Sequence, residues 1–191
     1  MDKFWFESAV FTGKIHNKVQ VAVDSGVIRE IIVGVEKPLD ALYFDAMALP
    51  GFIDTHCHGG GGYFFSDQDP EKLESIGKFH LNNGTTTLFA SLVSEDAATL
   101  DSQVRRLGSL LPLSTIAGIH LEGPWISPQF NGAHDPGSLR TPDPSEVKKL
   151  IDASDGNLLS VTIAPELNQA LEIISLLETF GVTVALGHTD A

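Results

Sequence analysis

A repeat constrains this chain more than any single motif does. From residue 48 onward a short apolar, β-branched run is followed by a polar loop and then by a stretch of helical periodicity, four times over, before a fifth apolar run ends the chain. The runs lie near residues 52–58, 85–91, 114–120, 158–164 and 182–186. The helical stretches follow Asp69-Pro70-Glu71, Ser94-Glu95-Asp96, Pro144-Ser145-Glu146 and Asn168, and the first two stop at Gly84 and Gly108. Helical crossovers between neighbouring strands imply parallel pairing in right-handed βαβ units. Polar residues gather at the C-terminal end of each run: His56 and His58, Ser91, His120 and Glu122, Glu166, and His188. That is the end at which parallel α/β folds place their sites. Five strands do not close a barrel of eight, and the last run leads straight into the polar motif Gly187-His188-Thr189-Asp190. The reading at this point is α/β with parallel strands, a doubly wound sheet or an incomplete (β/α) TIM-type barrel of about five strands, taken to be the N-terminal part of a longer protein.

The first 47 residues follow another rule. Short strands are predicted near residues 4–12, 19–23 and 27–35, separated by turns at 13–18 and 24–26. No chemistry is visible there, and His16 is read as a solvent-facing turn residue beside Lys14 and Lys18. The expected organisation is a small β domain at 1–47 and the strand–helix repeat at 48–191.

Charge narrows the possible partners. The 25 acidic residues outnumber the 12 basic ones, for a formal charge of −13. Such a field repels a nucleic-acid backbone, and no basic patch interleaved with aromatics opposes it. A small anion is still admissible, because a local cation or a glycine-rich turn can bind it against the global charge. Cys57 is the only cysteine, which rules out an intrachain disulfide, and its alternation with His56 and His58 points it to the opposite side as a small core residue. No apolar run reaches the roughly eighteen residues of a membrane span, and MDKFWFE does not read as a signal peptide. The expectation is a cytoplasmic protein without membrane or nucleic-acid partners.

The chemistry concentrates in residues 48–62, ALPGFIDTHCHGGGG. Period two places Asp54, His56 and His58 on one strand face, where two imidazoles can reach one ion or two adjacent ones. The glycines let the backbone approach whatever is bound; without GxxxxGK[ST] a nucleotide cradle is a weak alternative. Glu122, stiffened by Gly123-Pro124, and His188 join them at other strand ends. His56, His58, Glu122 and His188 form a donor set suited to zinc or another first-row divalent ion. Each alone also has a plainer reading, as a strand-end or loop polar residue. His120 is either a ligand or a donor behind the ligands. His134, on the long loop 126–142, either meets substrate or is exposed, and His80 in the first helix is structural.

Three motifs in this order, PGFIDTHCHGG, HLEGPWISPQFNGAHDP and GHTDA, resemble the N-acetylglucosamine-6-phosphate deacetylases of the amidohydrolase superfamily. HLEGP followed by the GAH loop is the specific part. The resemblance implies a metal-bearing (β/α) barrel beside a small β-sandwich built from both chain ends. It implies hydrolysis of the 2-acetamido group of an amino-sugar phosphate, N-acetyl-D-glucosamine 6-phosphate, by water. No Ser or Cys triad is then required. Glu122 and His188 resemble the family's metal ligands, His56 and His58 the pair that supports a second metal in some members, and His134 with Ala133 the substrate-contacting loop. One or two divalent ions are implied, zinc first, with iron, cobalt or manganese as alternatives. The family's catalytic aspartate has no counterpart here and is placed beyond Ala191; Asp190 comes too early in strand order to replace it. A homodimer is expected. The alternatives are another amidohydrolase acting on a cyclic amide or nucleobase, or an inactive metal- or partner-binding fragment.

Overall fold

A computed structural model describes residues 1–67, 69–111 and 116–191, in two compact units, Met1–Gly51 and Phe52–Ala191. The first unit is a four-stranded sheet in the order β3-β2-β1-β4, formed by β1 (Asp2–Phe11), β2 (Lys14–Asp24), β3 (Val27–Val33) and β4 (Leu42–Ala48). The hairpins β1–β2 and β2–β3 are antiparallel, whereas β4 returns parallel to β1. Trp5, Ala9, Val19 and Ala22 are buried, and the Trp5 indole N–H donates to the Val35 carbonyl at 3.0 Å.

Two expectations fail in this unit. The first turn is confined to Thr12 and Gly13, both at positive φ, so β2 already begins at Lys14. His16 is therefore a strand residue paired with Ala9, its ring stacked 4.0 Å from that of Phe11. Its Nε2 is the one buried side-chain polar atom without a hydrogen-bond partner among the described residues. Strand β4 is additional to the expected strands, because its partner lies about forty positions earlier in the chain.

The second unit carries five parallel strands in chain order: β5 (Phe52–Cys57), β8 (Thr85–Leu92), β9 (Ile116–Glu122), β10 (Leu158–Ile163) and β11 (Thr183–Leu186). A two-residue ribbon, β6 (Gly59–Gly60) with β7 (Tyr63–Phe64), comes directly after β5. The crossovers are α1 (Pro70–Asn82), α2 (Ala97–Leu110), α3 (Pro144–Ala153) and α4 (Ala170–Thr179). This is the open half of a (β/α) barrel. The expected start of the third strand at Ser114 lies outside the described residues.

Local chemistry accounts for the helix starts. The Asp69, Asp96 and Asp143 carboxylates cap α1, α2 and α3 by accepting backbone N–H groups, and proline occupies the first turn of α1 and α3. Helix α2 runs past Gly108 to Leu110 instead of ending there. A Cβ at Gly108 would lie 2.6 Å from the Ser154 carbonyl oxygen, so this glycine serves close helix packing and not termination. Leu100, Val104 and Leu107 of α2, Val147 and Leu150 of α3, and Ile173 and Leu177 of α4 share one core with Leu88, Ile119, Leu121, Val161 and Ile163 of the strands. Period two then sends Ser91, His120, Glu122 and Thr162 away from that core. No helix among the described residues is long and apolar enough to cross a membrane.

Candidate metal centre

Glu122 ends β9, and four imidazoles converge on its carboxylate. His56 Nε2 lies 3.3 Å and His188 Nε2 3.0 Å from Oε1, while His58 Nε2 lies 2.9 Å and His134 Nε2 3.4 Å from Oε2. The Nε2 atoms of His56 and His58 are 3.1 Å apart. Residues from the end of β5, from the loop after β9 and from the segment after β11 thus meet around one carboxylate.

The second nitrogen of each ring separates their roles. His58 Nδ1 is 3.2 Å from the Ser91 carbonyl oxygen, and His188 Nδ1 is 2.7 Å from that of Phe130. A carbonyl only accepts, so both Nδ1 atoms carry the hydrogen, and each neutral ring turns the lone pair of Nε2 toward Glu122. A lone pair and a carboxylate oxygen about 3 Å apart repel unless a proton or a cation lies between them. The donor set therefore fits a divalent ion, its imidazoles oriented by backbone carbonyls behind them. Protons stand in for that cation electrostatically. The hydrogen bond to Glu122 raises the pKa of His58, and the same bond leads the effects that hold the Glu122 carboxyl far below the usual carboxylate range.

His134 has the opposite polarity. Its Nδ1 accepts the Ser94 backbone N–H at 3.2 Å and lies 2.9 Å from the Ser94 hydroxyl. The neutral ring then carries its hydrogen on Nε2, a donor aimed at the site. Burial leads the effects that lower its pKa and keep it neutral. His120 does not reach toward Glu122 with either nitrogen. Nδ1 is 2.9 Å from Ser91 Oγ and Nε2 is 2.9 Å from Thr162 Oγ1, and burial, reinforced by the charge of His56, pushes the pKa down to about 4. Ser91 Oγ also accepts the Cys57 N–H at 2.9 Å, which ties this buried hydroxyl–imidazole chain to β5.

Among the described residues, His56, His58 and Glu122 form one group with ligand atoms within 4.8 Å of one another, and Glu122, His134 and His188 form a second. Glu122 is common to both. Asp54 does not share the face of His56 and His58, contrary to expectation. The β5–β8 register slips between Asp54 and Cys57, so the period of two breaks there. The Asp54 carboxylate accepts the His56 N–H at 3.1 Å and groups with Cys57 and His80 instead. Cys57 is only partly buried.

The loop after β9 is braced from behind. Arg140 forms an ion pair with Glu146 at 2.5 Å and donates to the carbonyls of Glu95 and Ser138, while the buried Trp125 indole N–H donates to Glu146 at 3.2 Å. Gly132, at φ +58°, lies against His188: a Cβ there would sit 3.2 Å from the imidazole Cε1. Ala133 beside it is exposed. At the end of β10, Glu166 accepts the Thr189 hydroxyl and the Asp190 N–H and so fastens the segment carrying His188. His188 itself holds φ +51°, a conformation costly for a non-glycine residue, with its carbonyl accepting the Ser127 N–H at 2.9 Å. Sequence reasoning missed Ser94, Thr162 and the Phe130 carbonyl. The first two are common residue types after strands, and a carbonyl has no letter of its own.

The sequence matches the amidohydrolase family over residues 47–178. It is 32% identical over 167 residues to the N-acetylgalactosamine-6-phosphate deacetylase of Escherichia coli, covering 84% of this chain and 44% of that protein. It is 31% identical over 195 residues to the N-acetylglucosamine-6-phosphate deacetylase of Danio rerio, covering 98% of this chain and 46% of that one. The crystal structure of the N-acetyl-D-glucosamine-6-phosphate deacetylase of Mycobacterium smegmatis superposes on all of this chain with a TM-score of 0.93 at 35% identity, over 51% of its own length. A mutant of that enzyme in complex with N-acetyl-D-glucosamine-6-phosphate superposes with a TM-score of 0.91. The chain thus spans about half the length of the relatives it matches, or less.

Proposed function

This chain belongs to the amidohydrolase family, and on that premise we propose that the protein containing it hydrolyses the acetamide of N-acetyl-D-glucosamine 6-phosphate. The products are D-glucosamine 6-phosphate and acetate, a step of amino-sugar catabolism in the cytoplasm. The observation that carries the reading is the pair of tautomer-locked imidazoles, His58 and His188, facing the two oxygens of Glu122. The deacetylase relatives give the substrate class.

Glu122, His188, His56 and His58 would hold the metal, zinc first, and the sharing of Glu122 between two groups supports room for one ion or two. When bound, the ion supplies Lewis-acid polarisation and lowers the pKa of water. The chain's own contribution is positional. His134 directs its Nε2–H at the site, where it would donate to a substrate oxygen as negative charge develops, and Ala133 and Gly132 present backbone beside it. His120 and Ser91 hold the end of β5 in place without taking a proton at neutral pH. The general acid/base is assigned to an aspartate beyond Ala191. Residues 1–47 are assigned to a β-sandwich, residues 48–191 to the first part of the barrel, and the whole protein to a homodimer.

Acetate release by the full-length gene product tests the reading. N-acetylglucosamine 6-phosphate should be hydrolysed faster than N-acetylgalactosamine 6-phosphate, and a dihydropyrimidine should not be hydrolysed. Turnover of the cyclic amide alone would overturn the substrate assignment. In parallel, elemental analysis should find clearly less metal in Glu122→Gln than in the wild type; equal metal in both would remove Glu122 from the centre.

A further inference from the structure

One donor cluster stands outside this centre and shares no side chain with it. Cys57 ends β5, His80 lies in the last turn of α1, and Asp54 turns toward both where the β5 register slips. Cys57 Sγ and His80 Nε2 are 3.3 Å apart, and each is 3.0 Å from the Gly59 carbonyl oxygen. The Asp54 carboxylate completes a group whose ligand atoms all lie within 4.8 Å of one another. All three side chains are only partly buried, so an ion can reach them from solvent. A Cβ at Gly60 would lie 2.6 Å from His80 Nε2, so only glycine at that position lets the imidazole come this close.

We propose that Asp54, Cys57 and His80, with the Gly59 carbonyl as a fourth donor, form a separate site for a zinc-class divalent cation. Metal–ligand distances of about 2.0–2.3 Å around a tetrahedral ion set edges of roughly 3.3–3.6 Å between ligand atoms. The 3.3 Å and 3.0 Å separations here are a few tenths of an ångström from that tetrahedron. As hydrogen bonds, the same contacts aim both an S–H and an N–H at one carbonyl. One sulfur, one nitrogen and two oxygens select a borderline or soft ion over magnesium or calcium. Binding replaces the thiol hydrogen, which leaves to solvent as a proton while the ion takes the thiolate lone pair. The bound ion would pin α1 to the end of β5, next to His56 and His58, without being one of the ions around Glu122. This assignment does not depend on the deacetylase reading.

Cobalt(II) is the probe, because a thiolate ligand gives it a near-ultraviolet sulfur-to-metal charge-transfer band that nitrogen and oxygen ligands cannot. Cys57 is the only cysteine of residues 1–191, and Cys57→Ser checks that the band arises from it. Titration of the full chain should produce the band at saturation. Glu122→Gln should keep it while losing cobalt from the other centre. Cys57→Ser should lose the band and about one equivalent of metal, and His80→Gln should weaken the band's binding curve roughly tenfold or more. A chain that shows visible cobalt absorption but no sulfur band overturns the proposal, and this decides the matter even if Cys57→Ser does not fold. Loss of the band in Glu122→Gln would also overturn it, by making Cys57 part of the Glu122 centre.

Discussion

The middle and outer strands of the five-stranded sheet place their site residues by different means. Strands β8, β9 and β10 carry Leu88, Ile119, Leu121, Val161 and Ile163 almost wholly out of solvent. The outer strands β5 and β11 leave Phe52, Ile53 and Leu186 more than 60% exposed. Yet His56, His58 and His188 come from the outer strands and the segments just after them, while the middle supplies Glu122, Ser91, His120 and Thr162. Directed hydrogen bonds substitute for burial at the edges: His58 Nδ1 to the Ser91 carbonyl, the Cys57 N–H to Ser91 Oγ, and the Gly187 N–H to the Ile163 carbonyl. A packed core thus sets the carboxylate, and polar contacts bring the imidazoles to it.

The contrast predicts a graded set of responses. Leu121→Ala, in the middle, should cost about 2–5 kcal/mol in denaturant unfolding, through lost burial and the cavity left behind. An effect under about 1 kcal/mol would mean the middle strands are not the rigid element. Next comes acid. The folded-state pKa of His120 is about 4, below its usual 6.5, so between those values the unfolded chain binds a proton that the folded chain does not. Stability should fall as pH drops through that window, by roughly 3 kcal/mol at full extent. In His120→Gln the slope of stability against pH should flatten; an unchanged slope would show that the buried chain is not what titrates.

Smaller effects separate the two means of placement further. Ser91→Ala removes the hydroxyl shared by Cys57 and His120 but keeps the carbonyl behind His58. It should cost about 1–2 kcal/mol and leave zinc affinity, measured by calorimetry, changed by less than about tenfold. A larger loss of affinity would mean the hydroxyl, and not the carbonyl, positions the imidazole. Ile53→Ser on the outer strand should shift stability by no more than about 0.5 kcal/mol. A larger shift that grows with protein concentration would show a second copy covering this edge.

The same contrast explains what the sequence could disclose. The parallel strand–helix repeat was legible because Asp69-Pro70-Glu71, Ser94-Glu95-Asp96 and Pro144-Ser145-Glu146 mark helix starts and because alternation sends Ile119 and Leu121 one way and His120 and Glu122 the other. The choice of a barrel over a doubly wound sheet rested on the family resemblance. The meeting of His56, His58, Glu122 and His188 came from strand order alone. Relations without a local signal stayed hidden. Strand β4 pairs with a segment far back in the chain, and a register slip, invisible in the letters, turns Asp54 toward Cys57 and His80. A turn shorter than the polar run around it stacked His16 on Phe11. The division of labour between His58, His188 and His134 depends on which nitrogen meets a carbonyl and which meets an N–H, and no residue type encodes that.

The Phe130 carbonyl that orients His188 belongs to the same loop that supplies His134 and Gly132. Main-chain atoms do this work, so the identity of side chain 130 matters little to it, while the count of residues between Trp125 and Arg140 matters a great deal. Related sequences should therefore drift freely in spelling at such positions and scarcely at all in length. An insertion of one residue here would disturb the ion's surroundings more than many substitutions combined.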